Sequence, residues 1–171
     1  MITPSFRLKN ADHNTQDLGN LNASLRASNL ADPVRLLQMT ITPTMLNNLI
    51  TTPILVLPSP GTGSYYQVLA TSLTFNYNGS PYAQVGSGGD LFYGSSNSGA
   101  LINGGLSNFN GSLTNTFSTY TNSAPSTLPT NTNLNTIKNM PIYIVSFSPG
   151  SGYSGGNSTI TYNVIYTVNR I

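Results

Sequence analysis

The stretch STITYNVIYTV, residues 158–168, decides the fold. Ile160, Tyr162, Val164, Tyr166 and Val168 alternate with Thr159, Thr161, Asn163 and Thr167, and only Ile165 interrupts the polar set. A period of two puts one set on each side of an extended chain, so this is a strand with one face against a core. β-branched and aromatic residues fill it, which is what a pleated, half-buried surface favours. Just upstream, PIYIVSFS (141–148) is a second strand, and PGSGYSGGN (149–157) reads as the flexible turn between the two.

The same logic extends toward the N-terminus. Residues 65–77 set Leu69, Leu73, Phe75 and Tyr77 at alternate positions, and Asn78-Gly79 is a hairpin-type dipeptide. Ile54–Leu57 is a short apolar strand. Residues 34–42 place Leu37, Met39 and Ile41 on one side. Thr42-Pro43 then predicts an N-cap and first helical position, with Met45, Leu46, Leu49 and Ile50 forming the apolar side of a short helix. Leu91-Phe92-Tyr93 and residues 112–120 predict further strands, Ser98–Gly105 a helical turn, and 121–136 a long polar connection. Short strands punctuated by turns predict an all-β domain over 34–171, an antiparallel β-sandwich or jelly-roll-like arrangement.

Charge divides the chain differently. Of ten formally charged residues, seven lie in the first 35: Arg7, Lys9, Asp12, Asp17, Arg26, Asp32 and Arg35. The rest of the chain carries only Asp90, Lys138 and Arg170. Residues 1–33 therefore read as an extended N-terminal arm, its Leu18, Leu21, Leu25 and Leu30 spaced for a turn or two of amphipathic helix, with Pro33 as the boundary. Arg7, Lys9, Arg26 and Arg35 are its candidate attachment cations. The body owes its polarity to Asn, Ser, Thr and Gln, a surface without the charge spacing that holds ordinary domains apart. Val68 and Ala70 lie opposite the main apolar side of their strand and Ile165 interrupts a polar side, so these three are candidate subunit-contact residues.

The chemistry-bearing residue types are scarce. General acid–base catalysis needs titratable groups held together, and the body offers Asp90 and no histidine. His13 lies beside Asp12 and near Asp17, in the arm, a poor frame for a Ser-His-Asp arrangement. No cysteine is present, so neither a disulfide nor a thiolate metal site is possible. Gly150-Ser-Gly152-Tyr-Ser-Gly155 matches a dinucleotide fingerprint in letters, but it joins two predicted strands and no acidic residue follows it. A net charge of +2 is too small for a nucleic-acid face. Met1–Asn14 contains no apolar run, so no export signal is expected, and no later stretch is long enough to span a bilayer. The ten tyrosines are expected mostly in the core or at contacts, with Tyr82 and Tyr153, in predicted loops, the best candidates for a sugar platform. The sequons at Asn22, Asn78, Asn110 and Asn157 follow from composition. No enzyme activity and no cofactor are expected.

Three segments carry a resemblance. Met45–Gly61 (MLNNLITTPILVLPSPG), Asn78–Ala83 (NGSPYA), and Asn139–Val145 with Gly155–Tyr166 are similar to segments of small virion proteins of tailed bacteriophages. The resemblance implies a β-sandwich or jelly-roll capsid decoration (cement) protein, a homotrimer bound to the major capsid protein, located in the virion and assembled in the host cytoplasm. A head-fibre or tail-appendage module binding host-surface glycans is the alternative. No catalytic residue is carried over, and residues 1–40 and 95–138 lie outside the matched segments.

With so few ligand-type side chains, chelation is expected to leave the melting temperature unchanged, because a cation bound to the native state would raise it. A clear fall in a thermal melt on adding EDTA would reveal a cation site built on Asp90 or on carbonyl oxygens.

Overall fold

A computed structural model describes residues 33–86, 88–102, 106, 112–121, 133–147, 150 and 152–171. The expected arm, Pro33 apart, lies outside the described residues. The elements are β1 (Arg35–Ile41), α1 (Pro43–Asn47), β2 (Ile54–Leu57), β3 (Ser64–Asn76), β4 (Ala83–Val85), β5 (Gly89–Tyr93), β6 (Leu101–Ile102), β7 (Thr116–Thr121), α2 (Leu134–Ile137), β8 (Ile142–Ser146), β9 (Gly152–Ser154) and β10 (Thr159–Arg170). Two four-stranded sheets, β1-β10-β3-β7 and β2-β8-β5-β6, enclose one core as an antiparallel sandwich, and β4-β9 forms a small third sheet.

Strand β10 pairs with β1 along one edge and with β3 along the other. Its predicted alternation is realised: Ile160, Tyr162 and Val164 are buried, and Thr159, Thr161 and Asn163 are half-buried on the outer side. Leu73 and Phe75 of β3 and Ile41 of β1 bury beside them. The second sheet answers with Ile54, Val56, Leu91, Tyr93, Ile142 and Ile144. Helix α1 forms where expected: Thr42 is the N-cap and its Oγ1 accepts from Met45 N at 3.3 Å, with Pro43 at the first helical position. Leu46 and Leu49 seal the core there.

One irregularity changes how β3 presents its side chains. The register with β10 runs Ile165↔Ala70 and then Tyr166↔Val68, leaving Leu69 as the extra residue of a β-bulge. An extra residue reverses which side chains face inward. Leu73 and Phe75 point inward on one side of the bulge, and Val68 and Tyr66 on the other. The unbroken alternation expected from sequence placed Leu69 inward and Val68 outward. Val68, 5% exposed, is a core residue, which removes it from the candidate subunit contacts.

Three other expectations change. Asn78-Gly79 does not join paired strands, because β4 pairs with β9 and not with β3. Within Ser98–Gly105, Leu101 and Ile102 form β6 on β5 rather than a helical turn. The Gly150–Gly155 segment contains β9, so it is part strand and not all turn.

The small sheet completes the core with aromatics. Phe75, Tyr82 and Tyr153 meet edge to face in sequence, each pair of ring centroids 6.3 Å apart. Gly156 is required there, because a Cβ on it would sit 2.3 Å from the Tyr82 ring. Four buried phenols donate to backbone carbonyls: Tyr82 to Ser158 O and Tyr66 to Pro58 O, both at 2.7 Å, Tyr93 to Tyr66 O, and Tyr153 to Leu106 O. The Tyr93 bond ties the second sheet to the first.

Burial raises the Tyr82 phenol to about 12. Tyr93 is also raised, by burial and then by neighbouring Tyr65. Tyr66 is raised by burial and by Tyr166, with Arg35 opposing. Raised folded values mean that the fold favours the neutral phenol. That contribution is complete below the unfolded tyrosine value of about 10 and is lost as pH climbs through the folded values. The β-sheet circular dichroism is therefore expected to hold to about pH 10 and to decay above it, together with a late rise in tyrosinate absorbance. Complete ionisation of all tyrosines with the β spectrum intact would contradict this.

Thr71 is the opposite case. It is 3% exposed on the inner side of β3, and its Oγ1 has no hydrogen-bond partner among the described residues. A buried, unpaired hydroxyl costs about 1–3 kcal/mol. Thr71→Val keeps the shape and removes the hydroxyl, so it is expected to stabilise by roughly 1 kcal/mol, read as a rise of a few degrees in Tm. A lower Tm would show that the hydroxyl is satisfied.

Candidate functional surface

The side chains that could do chemistry are dispersed. Asp90 lies on the outer side of β5, half-buried, and its Oδ1 accepts from Leu91 N at 3.2 Å. No group of three or more metal-ligating side chains occurs among the described residues. His13, Asp12, Asp17, Arg7, Lys9 and Arg26 lie outside the described residues. An open cleft of about 280 Å³ between the end of α1 and the loop after β5 is lined by Leu49, Ile50, Ser95, Asn97, Val145 and Ser146 among others, with hydroxyl and amide groups and no titratable side chain. No helix among the described residues is long and apolar enough to cross a membrane.

Tyr82 and Tyr153 are fully buried, which ends their candidacy as a sugar platform. Tyr82 does lie in a loop, just before β4, while Tyr153 belongs to β9, and the pairing of β4 with β9 brings the two segments together. No signal within either segment alone reports that long-range pairing.

What the fold does assemble is the outer face of the sheet β1-β10-β3-β7. Cross-strand register sets the outward residues in rows. One row is Thr40–Thr161–Thr74–Phe117, the next Gln38–Asn163–Ser72–Thr119, and the third begins Leu36–Ile165–Ala70. Two of the candidate contact residues, Ala70 and Ile165, are thus direct cross-strand partners. Beyond the bulge come Thr167 beside Gln67 and Asn169 beside Tyr65. None of these outward positions carries a formal charge. Arg35 lies at the sheet's end, exposed, opposite Tyr166.

The amides of this face bond to its own residues. Gln38 Nε2 donates to Asn163 Oδ1 at 2.9 Å, and Asn163 Nδ2 donates to Ser72 Oγ at 3.1 Å, a ladder across three strands. Asn76 Nδ2 donates to Thr161 Oγ1 at 3.3 Å, and Asn169 Nδ2 to Thr167 Oγ1 at 3.1 Å. Apolar side chains stand among them: Leu36 is 66%, Phe117 65% and Ile165 38% exposed. Leu36 and Phe117 were not singled out from sequence. Their signal is there in hindsight, since Leu36 is out of phase with Leu37, Met39 and Ile41, and Phe117 is isolated among Ser and Thr.

The second sheet also presents an apolar row, Leu55–Tyr143–Phe92–Leu101. Phe147 packs on Phe92 with ring centroids 6.4 Å apart. In this row Phe92 is already buried within the chain, and its exposed apolar residues are Leu55 and the adjoining Phe147, at 47% and 46%, against 66% and 65% for Leu36 and Phe117 on the first sheet. Comparison of the chain with protein-family models, with curated proteins and with solved structures finds no match.

Proposed function

We propose that this chain is a structural virion component, a capsid decoration protein that binds the outer surface of a phage head, stabilises it, and acts as a homo-oligomer. The observation that carries the reading is the outer face of β1-β10-β3-β7, four strands wide and without formal charge. Like faces of this kind do not repel each other. Strand order supports a jelly roll: β1, β2, β3 and β5 alternate between the two sheets, and the later strands interleave with them to give β1-β10-β3-β7 and β2-β8-β5-β6. The number three comes from the resemblance of Met45–Gly61, Asn78–Ala83 and the closing strands to phage virion proteins.

In this reading the partners are the major capsid protein and other copies of the chain, with no nucleic acid and no membrane. Arg7, Lys9 and Arg26, with Arg35 at the first strand, supply the cations that meet an acidic capsid surface. The competing reading, an appendage that binds host-surface glycans, has lost its two best loop anchors to the core.

The test is cosedimentation with undecorated heads. The full chain is expected to bind, with affinity that falls as salt rises, because screening shortens the reach of the arm's charges to about 8 Å at physiological ionic strength. Deleting residues 1–33 is expected to leave the β spectrum intact and weaken binding. Equal binding by the truncated chain would assign the arm another role, and binding to a glycan array without binding to heads would replace the reading.

A further inference from the structure

We propose that a second copy of this chain docks on the outer face of β1-β10-β3-β7, with Leu36, Ile165 and Ala70 at the centre of the contact. The inference rests on the assembly reading, names the surface, and gives a twofold pair through it where the resemblance implies three copies.

Three properties of the face select its occupant. The outward positions carry no formal charge, so there is nothing to steer a charged partner such as nucleic acid or an anionic membrane. The amides of Gln38, Asn163, Asn76 and Asn169 spend donors on neighbours within the face. A glycan site needs such donors aimed outward. Covering amides that already bond within the face strands fewer donors, which lowers the cost of burial. Finally, Leu36, Phe117 and Ile165 remain open to water. The partner must therefore be flat, uncharged, and apolar at its middle, and the same face of another copy has those properties.

The size is adequate. Four strands spaced at about 4.8 Å, with lengths set by about 3.4 Å per residue, give a face on the order of 600 Å². That is close to the roughly 800 Å² per partner of a stable interface. Sheets pack face to face with strands about 30° apart, and cyclic symmetry closes such a contact. A face that meets the same face of another copy does so about a twofold axis, which sets the Leu36–Ile165–Ala70 row against its mate.

The test is solution mass by light scattering at micromolar concentration. The full chain is expected at a small multiple of its 18.1 kDa. Ile165→Lys puts a charge into the contact and is expected to give a monomer with an unchanged β spectrum. Leu55→Lys, on the outer face of the other sheet, is expected to leave the oligomer intact. A full chain that is monomeric both free and on particles overturns the proposal. So does an oligomer that survives Ile165→Lys, or one that Leu55→Lys dissociates. If Ile165→Lys fails to fold, Ile165→Thr decides, because it keeps a β-branched residue and removes apolar surface. Its expected effect is about tenfold weaker association, and an unchanged association constant overturns the proposal. Binding to heads is scored separately: an oligomer through this face that ignores heads sinks the decoration reading alone, and a monomer that coats heads sinks this inference alone.

Discussion

Strand β10 is hydrogen-bonded on both edges, to β1 and to β3, and the rest of the molecule is arranged around that fact. Its inner side chains, Ile160, Tyr162 and Val164, supply the middle of one wall of the core. Its outer side chains supply the middle of the uncharged face. A single strand of period two thus fixes both the interior and the exterior of the first sheet, and a slip of one residue would exchange them. The bulge at Leu69 absorbs one residue of β3 where it meets Ile165 and Tyr166, so β10 keeps its alternation unbroken while β3 switches sides.

The core is unusual in depending on phenols. Tyr66, Tyr82, Tyr93 and Tyr153 are all buried, and each delivers its hydroxyl to a backbone carbonyl. Three of those carbonyls belong to residues distant in sequence, and that of Pro58 lies in the loop just before β3, so the rings fill volume while the hydroxyls hold the connections in place. In a chain without cysteine such bonds act as the cross-links between segments. The cost of an unpaired polar group is visible by contrast at Thr71.

Much of this was legible from residue order because the deciding patterns are local. The strands β2, β3, β8 and β10 follow from apolar alternation or short apolar runs, and α1 from the Thr42-Pro43 start. The errors have one physical source, which is pairing between distant segments. Nothing near Leu69 announces that β10 will meet it with a bulge, so Val68 was placed on the wrong side. Nothing in GSGYSGG reveals that it will lie against Ala83–Val85, so neither the strand at Tyr153 nor the burial of Tyr153 and of the loop residue Tyr82 is legible locally. Of the candidate contact set, Ala70 and Ile165 are each legible as local exceptions to their strand's pattern, and the register of β10 with β3 makes them neighbours. Leu36 joined them only through the register of β1 with β10.

The amide ladder from Gln38 through Asn163 to Ser72 has a consequence for chemical ageing. A surface that owes its polarity to amides is little affected by salt, but loss of one ammonia converts a neutral position into a carboxylate. Spontaneous deamidation requires the next backbone nitrogen to attack the side-chain carbonyl, which calls for a bend that a paired strand resists. At Asn163 the following residue is the branched Val164, and both ends of the amide are already bonded to neighbouring strands. The ladder therefore keeps the face neutral over time, protecting a surface that a single new charge would spoil.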